Sequence, residues 1–351
     1  MQTLLPPSFS SCLRLLRALR VAFFVGLLGA SAACSTVTPV ADTVDGAPPD
    51  ICHCVVNLLV ERESEEGDSF GAAVVIDDKG SLVTAHHVVE NALHITVLLD
   101  GGRATTATLV AFDAVGDVAL LRCAAFIPDA MTPATVASAP PAPGATVWSL
   151  GNPFGTARIG GQCAVSRGVV SALHRSYVSE HTGRLYLDCI QHDAPTNPGN
   201  SGGGIFNNRG EWIGLNAVIT AMREQPRDYG VAFAVPVTRV MQIANQLVAG
   251  KVVRHGWLGA RAYGLATQVA PDGTGVMRAV LGPLEETGPA WRYGLQSGDV
   301  VLCVNGAPVF GIHEMLALED ALAPGEKAMV KINRAGHEFE IGVVIESRPT
   351  R

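Results

Sequence analysis

Charged side chains are sparse in this 351-residue chain: Asp, Glu, Lys and Arg make up 16% of it, against 48% hydrophobic residues. A chain so apolar has the material for a packed core, which excludes extended disorder. Basic clusters are missing as well. Three of the 25 Lys and Arg residues (Arg14, Arg17 and Arg20) fall in the acid-free first 33 residues, leaving 22 against 32 acids, a formal charge of −10, for the remainder. Binding to nucleic acid needs clustered cations, so no nucleic-acid partner is expected. The apolar run 21–28 is too short to cross a bilayer as a permanent helix. Cysteine pairs at metal-ligand spacing are also lacking. Cys52-His53-Cys54 has no second ligand pair after it and is not a haem-attachment CxxCH, so neither a metal nor another cofactor is expected.

What is present begins with an export leader. The three arginines precede the run 21–28, and small residues fill 29–33, the layout of a signal peptide over 1–33. Gly29-Ala30-Ser31-Ala32-Ala33-Cys34 resembles the lipobox of bacterial lipoproteins, which makes Cys34 the candidate lipid attachment site. Cleavage after the A-x-A-like Ala30-Ser31-Ala32 by ordinary signal peptidase is the alternative. Residues 34–50 are polar, small and Pro-bearing, the composition of a tether that would hold a domain off a membrane. Ser35 stands where an inner-membrane retention Asp is often found, so the expected location is the periplasm, anchored to the outer membrane. Six cysteines follow; they allow 15 pairings, and Cys123 and Cys303 lie in apolar runs that suit buried thiols.

From residue 51 the chain is a series of short apolar, β-branched runs punctuated by Gly, Asp and Asn, including CVVNLLV, GAAVVI, HITVLL, VALLRC, ATVWSL and YGVAFAV. That rhythm predicts a mostly β protein. A Pro-rich stretch at 139–144 divides 51–250 into two similar halves, and VTRVMQIANQLVAG has helical periodicity ending at Gly250, a helix that closes this first domain. Residues 256–347 form a smaller β unit with a helix at HEMLALEDALA and a shorter one at AWRYGL.

Ser201 sits in Asn197-Pro198-Gly199-Asn200-Ser201-Gly202-Gly203. A serine hydroxyl attacks only when a base takes its proton and donors await the oxyanion. The flanking glycines allow a tight turn that exposes the hydroxyl and aims the Gly199 and Ser201 N–H groups at one point. A base and its orienter are available upstream in Ala85-His86-His87 and in Asp113 or Asp117, in the order His, Asp, Ser. That order differs from those of the subtilisins and α/β-hydrolases, and the βα alternation of the latter is missing here.

TAHHVV, GDVALL, SLGNPFG, DAPTNPGNSGG and GEWIGLNAVI, in this order, resemble the successive signatures of the HtrA/Deg family of envelope serine proteases; GWLGA and GLQSGDVVLCVNG resemble that family's PDZ domain. The resemblance covers about residues 51–347. It implies two six-stranded antiparallel β-barrels of chymotrypsin type over 51–250, followed by a PDZ-type β/α domain over 256–347. It selects His87 over His86 and Asp117 over Asp113, giving a catalytic triad of His87, Asp117 and Ser201 with an oxyanion hole at Gly199 and Ser201. Asn216, Ala217, Val218 and Ile219 match the segment that pairs with substrate backbone, and Trp257, Leu258, Gly259 and Ala260 match the PDZ carboxylate loop. Pro195 stands where trypsin-like pockets carry a specificity acid, so a preference for small aliphatic residues replaces one for Arg or Lys. The implied activity is endopeptidase cleavage of unfolded or specific exported proteins, with C-terminal peptides as PDZ partners and a homotrimer as the assembly. A chaperone or scaffold on the same fold is the competing reading.

Overall fold

The computed structural model describes residues 48–63, 68–159, 162–179, 183–219, 230–261, 263–269 and 273–349. The leader 1–33, Cys34 and most of the tether lie outside the described residues.

Strands β1 (Val55–Glu61), β2 (Ser69–Val75), β3 (Ser81–Ala85), β4 (His94–Leu98), β5 (Ala104–Asp113) and β6 (Val118–Cys123) close into an antiparallel barrel of order β1-β2-β3-β6-β5-β4. A second closed barrel, of order β10-β11-β12-β9-β8-β7, uses β7 (Thr146–Gly151), β8 (Ala164–Val178), β9 (Leu185–His192), β10 (Gly204–Phe206), β11 (Trp212–Ile219) and β12 (Ala232–Pro236). Closure pairs every strand on both sides, which is why runs as short as Ser81–Ala85 hold their place. Leu58, Leu82, Ile95, Val97 and Leu121 fill the first barrel. Val147, Val170, Ile190, Ile205 and Ile213 fill the second. A further cluster, with Leu120, Trp148, Phe206, Trp212 and Leu215, joins the two.

Helix α1 (Val237–Val248) seals that joint. Its buried residues Val237, Val240, Ile243, Ala244 and Leu247 recur at helical spacing, and it packs on β5, β6 and β11, touching both barrels. The chain turns out of it at Gly250, whose φ of +67° is the left-handed conformation that favours glycine after a helix.

The remainder is a sheet of order β14 (Tyr263–Val269), β15 (Gly275–Leu281), β16 (Val300–Val304), β18 (Lys327–Arg334), β19 (His337–Val344), with β17 (Ala307–Pro308) paired to β16. A two-stranded pair of β13 (Gly256–Trp257) and β20 (Glu346–Ser347) and helix α2 (Ile312–Ala321) complete it. The expected short helix is the single turn Pro289–Arg292, and the strand expected across GWLGARA is confined to Gly256–Trp257.

A histidine ties this unit to the barrels. His255 Nε2 lies 2.9 Å from Asp113 Oδ1 of β5, and its Nδ1 lies 2.7 Å from Asp320 Oδ1 of α2. Arg239 of α1 donates to Asp320 as well. Burial opposes the charged imidazole, but the hydrogen bonds and charges of Asp113 and Asp320 outweigh it and push the His255 pKa up to about 9. A folded-state pKa raised above the unfolded value means that this stabilisation is complete below about pH 6.5 and is lost as pH rises through about 9. The thermal midpoint of the wild type is therefore expected to fall between pH 7 and 10 more steeply than that of His255→Gln. Parallel pH dependence of the two, measured by differential scanning fluorimetry, would contradict the bridge.

Candidate active site

The first barrel supplies His87 and Asp117 from adjacent strand ends. β3 runs into a helical turn, His86–Val89, and β5 and β6 are joined by a tight turn whose last residue is Asp117. Asp117 has φ +56°, a left-handed conformation that Asp tolerates better than most residues. The turn is shaped by Asp113, whose carboxylate accepts from the N–H groups of Val115 at 3.3 Å and Gly116 at 3.1 Å. Asp113 is thus the turn former and the partner of His255, and Asp117 is the residue that meets the histidine of the His86–Val89 turn.

That histidine is His87. Its Nδ1 lies 2.7 Å from Asp117 Oδ2, and its backbone N–H donates to Oδ1 at 2.9 Å. His86 points elsewhere: it is buried and stacked on Phe112 at 4.2 Å, and burial pushes its pKa down. Asp117 is 1% exposed. Burial alone would raise its pKa, but the hydrogen bond from His87 and the charges of His87 and Arg184 hold it below the ordinary value. Two donors to this carboxylate carry no motif: Tyr186 Oη at 2.8 Å from Oδ2, and Arg184 Nη1 on Oδ1.

Ser201 comes from the second barrel, in the turn between β9 and β10. Asn200 N–H donates to Asn197 O at 2.9 Å and Gly203 N–H to Asn200 O at 3.0 Å, winding the segment tightly. Gly199 has φ +102°, and a Cβ there would stand 2.1 Å from Asn152 O. At Gly202, with φ +79°, a Cβ would stand 2.1 Å from Thr84 Oγ1 and 2.3 Å from Ala72 O. The Ser201 carbonyl accepts from Ala72 N–H of β2 at 2.9 Å, so the serine loop is pinned to the first barrel, beside the end of β3 that leads to His87. Among the described residues the N–H groups of Gly199 and Ser201 have no hydrogen-bond partner, and Ser201 Oγ makes no hydrogen bond to His87 Nε2.

Asn216 is buried, with Nδ2 donating to Ser149 Oγ at 2.9 Å. Its backbone exchanges bonds with the serine loop: Gly202 N–H donates to its carbonyl and its own N–H to Gly203 O, both at 2.8 Å. Among the described residues β10 pairs β11 only through Leu215, while Val218 and Ile219 are paired by β12 alone and Ala217 sits in the bulge between Asn216 and Val218. In the following unit, Gly259 has φ +101° and a Cβ there would stand 3.0 Å from Ala290 N. Leu258 N–H donates to the buried Glu319 of α2 at 2.6 Å, and Glu319 also accepts from Tyr263 Oη at 3.0 Å. One donor of the expected carboxylate loop is therefore held by a carboxylate of the chain itself. Among the described residues no group of three or more His, Cys, Asp or Glu is arranged to hold a metal, and no helix is long and apolar enough to cross a membrane.

Two family models match: a trypsin-like peptidase domain over 71–215 and a PDZ domain over 284–334. A probable periplasmic serine endoprotease DegP-like from Halomonas elongata is 34% identical over 293 residues, covering 82% of this chain and 59% of that protein. The chloroplastic protease Do-like 1 of Arabidopsis thaliana is 33% identical over 318 residues, covering 84% of this chain and 69% of that protein. The chain belongs to the HtrA/Deg family. Among solved structures, the HtrA-type protease AlgW with tripeptide aligns with a TM-score of 0.66 and 29% identity, over 86% of this chain and 95% of that one. The chain spans 57% to 63% of the length of the first DegP-like relatives. Both the double barrel and the PDZ unit expected of an HtrA/Deg protein are present.

The glycine requirement is testable without assuming any activity. Gly202→Ala adds a side chain both to a left-handed backbone and to a space 2.1 Å from Thr84 Oγ1, and is expected to destabilise the fold by roughly 2–4 kcal/mol. Urea unfolding measures it; a loss below about 0.5 kcal/mol would mean that the loop has room that its close contacts with Thr84 and Ala72 deny.

Proposed function

We propose that the chain is a serine endopeptidase in which Ser201 is the nucleophile, His87 the general base and Asp117 the residue that orients the base. The observation that carries the reading is the His87–Asp117 bond at 2.7 Å, set beside a serine loop whose Gly199 and Ser201 N–H groups have no partner among the described residues. His87 Nδ1 is committed to Asp117, which leaves Nε2 as the proton acceptor for Ser201 Oγ. A small closing of Ser201 onto Nε2 when substrate binds completes the relay, as hydrogen bonds in unliganded proteases often tighten only in the complex. The scissile carbonyl then places its developing charge on the N–H groups of Gly199 and Ser201. His87 returns the proton to the leaving amine, and a water repeats the sequence to release the acyl group.

Substrate enters as an extended strand. The open edge of β11 at Ala217, Val218 and Ile219 supports pairing with peptide backbone, and Asn216 anchors that edge to the serine loop. Pro195 in place of an acid supports small aliphatic residues before the cut. The PDZ domain supports recognition of C-terminal peptides through Trp257, Leu258, Gly259 and Ala260, with Glu319 giving up the Leu258 N–H to the incoming carboxylate. The names of the DegP-like relatives support a periplasmic location and endoprotease activity; unfolded or exported proteins are the substrates proposed here. Outer-membrane attachment through Cys34 and a homotrimeric assembly complete the proposal.

Ser201→Ala is expected to lower casein hydrolysis by about 10⁴–10⁶ in kcat while leaving the fold intact. His87→Ala should match it, and His86→Ala should retain most activity. Near-normal turnover by clean Ser201→Ala, or a failure of fluorophosphonate to label Ser201 in the wild type, would refute the assignment. A chain truncated after Gly256 keeps the helix that seals the barrels and His255 beside Asp113, so it should stay soluble and lose affinity for C-terminal peptides; equal affinity in calorimetry would remove the PDZ reading.

A further inference from the structure

The Asp117 carboxylate has more donors than orienting a histidine requires. A carboxylate offers about four acceptor positions, and here all are in use: Oδ1 receives the His87 N–H and Arg184, and Oδ2 receives His87 Nδ1 and Tyr186 Oη. The histidine contacts come from the first barrel. The other two come from the second, where Tyr186 lies on β9 and Arg184 just precedes it. Residues two apart in an extended segment share a face, so both side chains reach the same carboxylate. They hold it at both oxygens and prevent its rotation.

We propose that Arg184 and Tyr186 are positioning residues that act on His87 through Asp117 and set the pH range over which the base works. The proposal rests on the triad reading above. An unpaired Asp carboxylate would stabilise the imidazolium that forms when Ser201 is deprotonated. Arg184 places a full positive charge on the other oxygen, so the imidazolium faces a largely neutralised pair. The cation is therefore less favoured than beside an unpaired carboxylate, and the acid limb of activity is expected to lie lower with Arg184 than without it. Tyr186 contributes the same effect more weakly, as a neutral donor that shares Oδ2 with His87. It remains a neutral hydroxyl donor because burial and the Asp117 charge push its pKa well up. Among the described residues, the other charged or titratable groups near the pair are His86 and Glu90 beside it on the same turn, and Arg62 at the end of β1. The Arg62 guanidinium donates to the carbonyls of His87 at 3.1 Å and Val88 at 2.6 Å. Asp113, on the same turn as Asp117, is occupied by Gly116 and His255.

The test is the pH profile of kcat/KM for a peptide substrate in the full chain. Arg184→Gln is expected to move the acid limb upward by roughly 0.5–1 pH unit, the effect of removing one charge at this range in a partly screened site. Arg184→Lys should keep the limb close to the wild-type position. Tyr186→Phe, which removes one oxygen and leaves the ring packed, should shift the limb in the same direction by less and lower kcat several-fold. Fluorophosphonate labelling of Ser201 at pH 8 is followed in each variant. Labelling with acid limbs unchanged in both Arg184→Gln and Tyr186→Phe would overturn the proposal and leave the triad standing. A wild type inert to the probe would overturn both. Should Arg184→Gln fail to fold, Tyr186→Phe alone decides: a shifted limb supports the proposal and an unshifted one ends it.

Discussion

A carboxylate taken out of water has to be surrounded by donors, because an unpaired buried charge costs several kcal/mol. Asp117, at 1% exposure, imposes that demand at the joint between the two barrels. It is met from both sides, by the histidine of the first barrel and by Arg184 and Tyr186 of the second. The acid of the site is thus also one of the fastenings between the halves of the domain. The Ala72–Ser201 hydrogen bond is another, and α1 covers the seam with Ile243 and its buried neighbours. A shift of one barrel against the other would break the packing and the site together. The geometry needed for chemistry is therefore protected by the same contacts that hold the core.

Much of this was legible in the sequence because the signals are local. The alternation of short apolar runs follows from strand periodicity, and the run of buried positions in α1 follows from helical periodicity. Gly199 and Gly202 announce themselves because their backbone conformations and crowded surroundings leave glycine as the residue that fits. The choice between His86 and His87 came from a resemblance; in the structure His86 stacks on Phe112 and His87 meets Asp117.

What escaped the sequence are contacts between residues far apart in the chain. Arg184 and Tyr186 reach Asp117 across 67 and 69 positions, and no spacing rule covers such a distance. His255 meets Asp113 across 142 positions and reads in sequence as an ordinary polar residue after a helix. Glu319 falls at a helix position where the pattern suggests surface, yet it is 1% exposed and bonded to Leu258 and Tyr263. In each case the partner is set by tertiary packing, which no local pattern records.

The half-paired stretch of β11 beyond Leu215 has a meaning apart from the substrate role proposed for it. Closed barrels hide their hydrogen-bonding edges, and exposed edges are where one copy of a protein adds to another and aggregation starts. Here such an edge lies beside Ser201. Under the proposed activity, a strand that docked there from a misfolded neighbour would lie along the segment assigned to substrate, and a first step of self-association at that edge would end in cleavage.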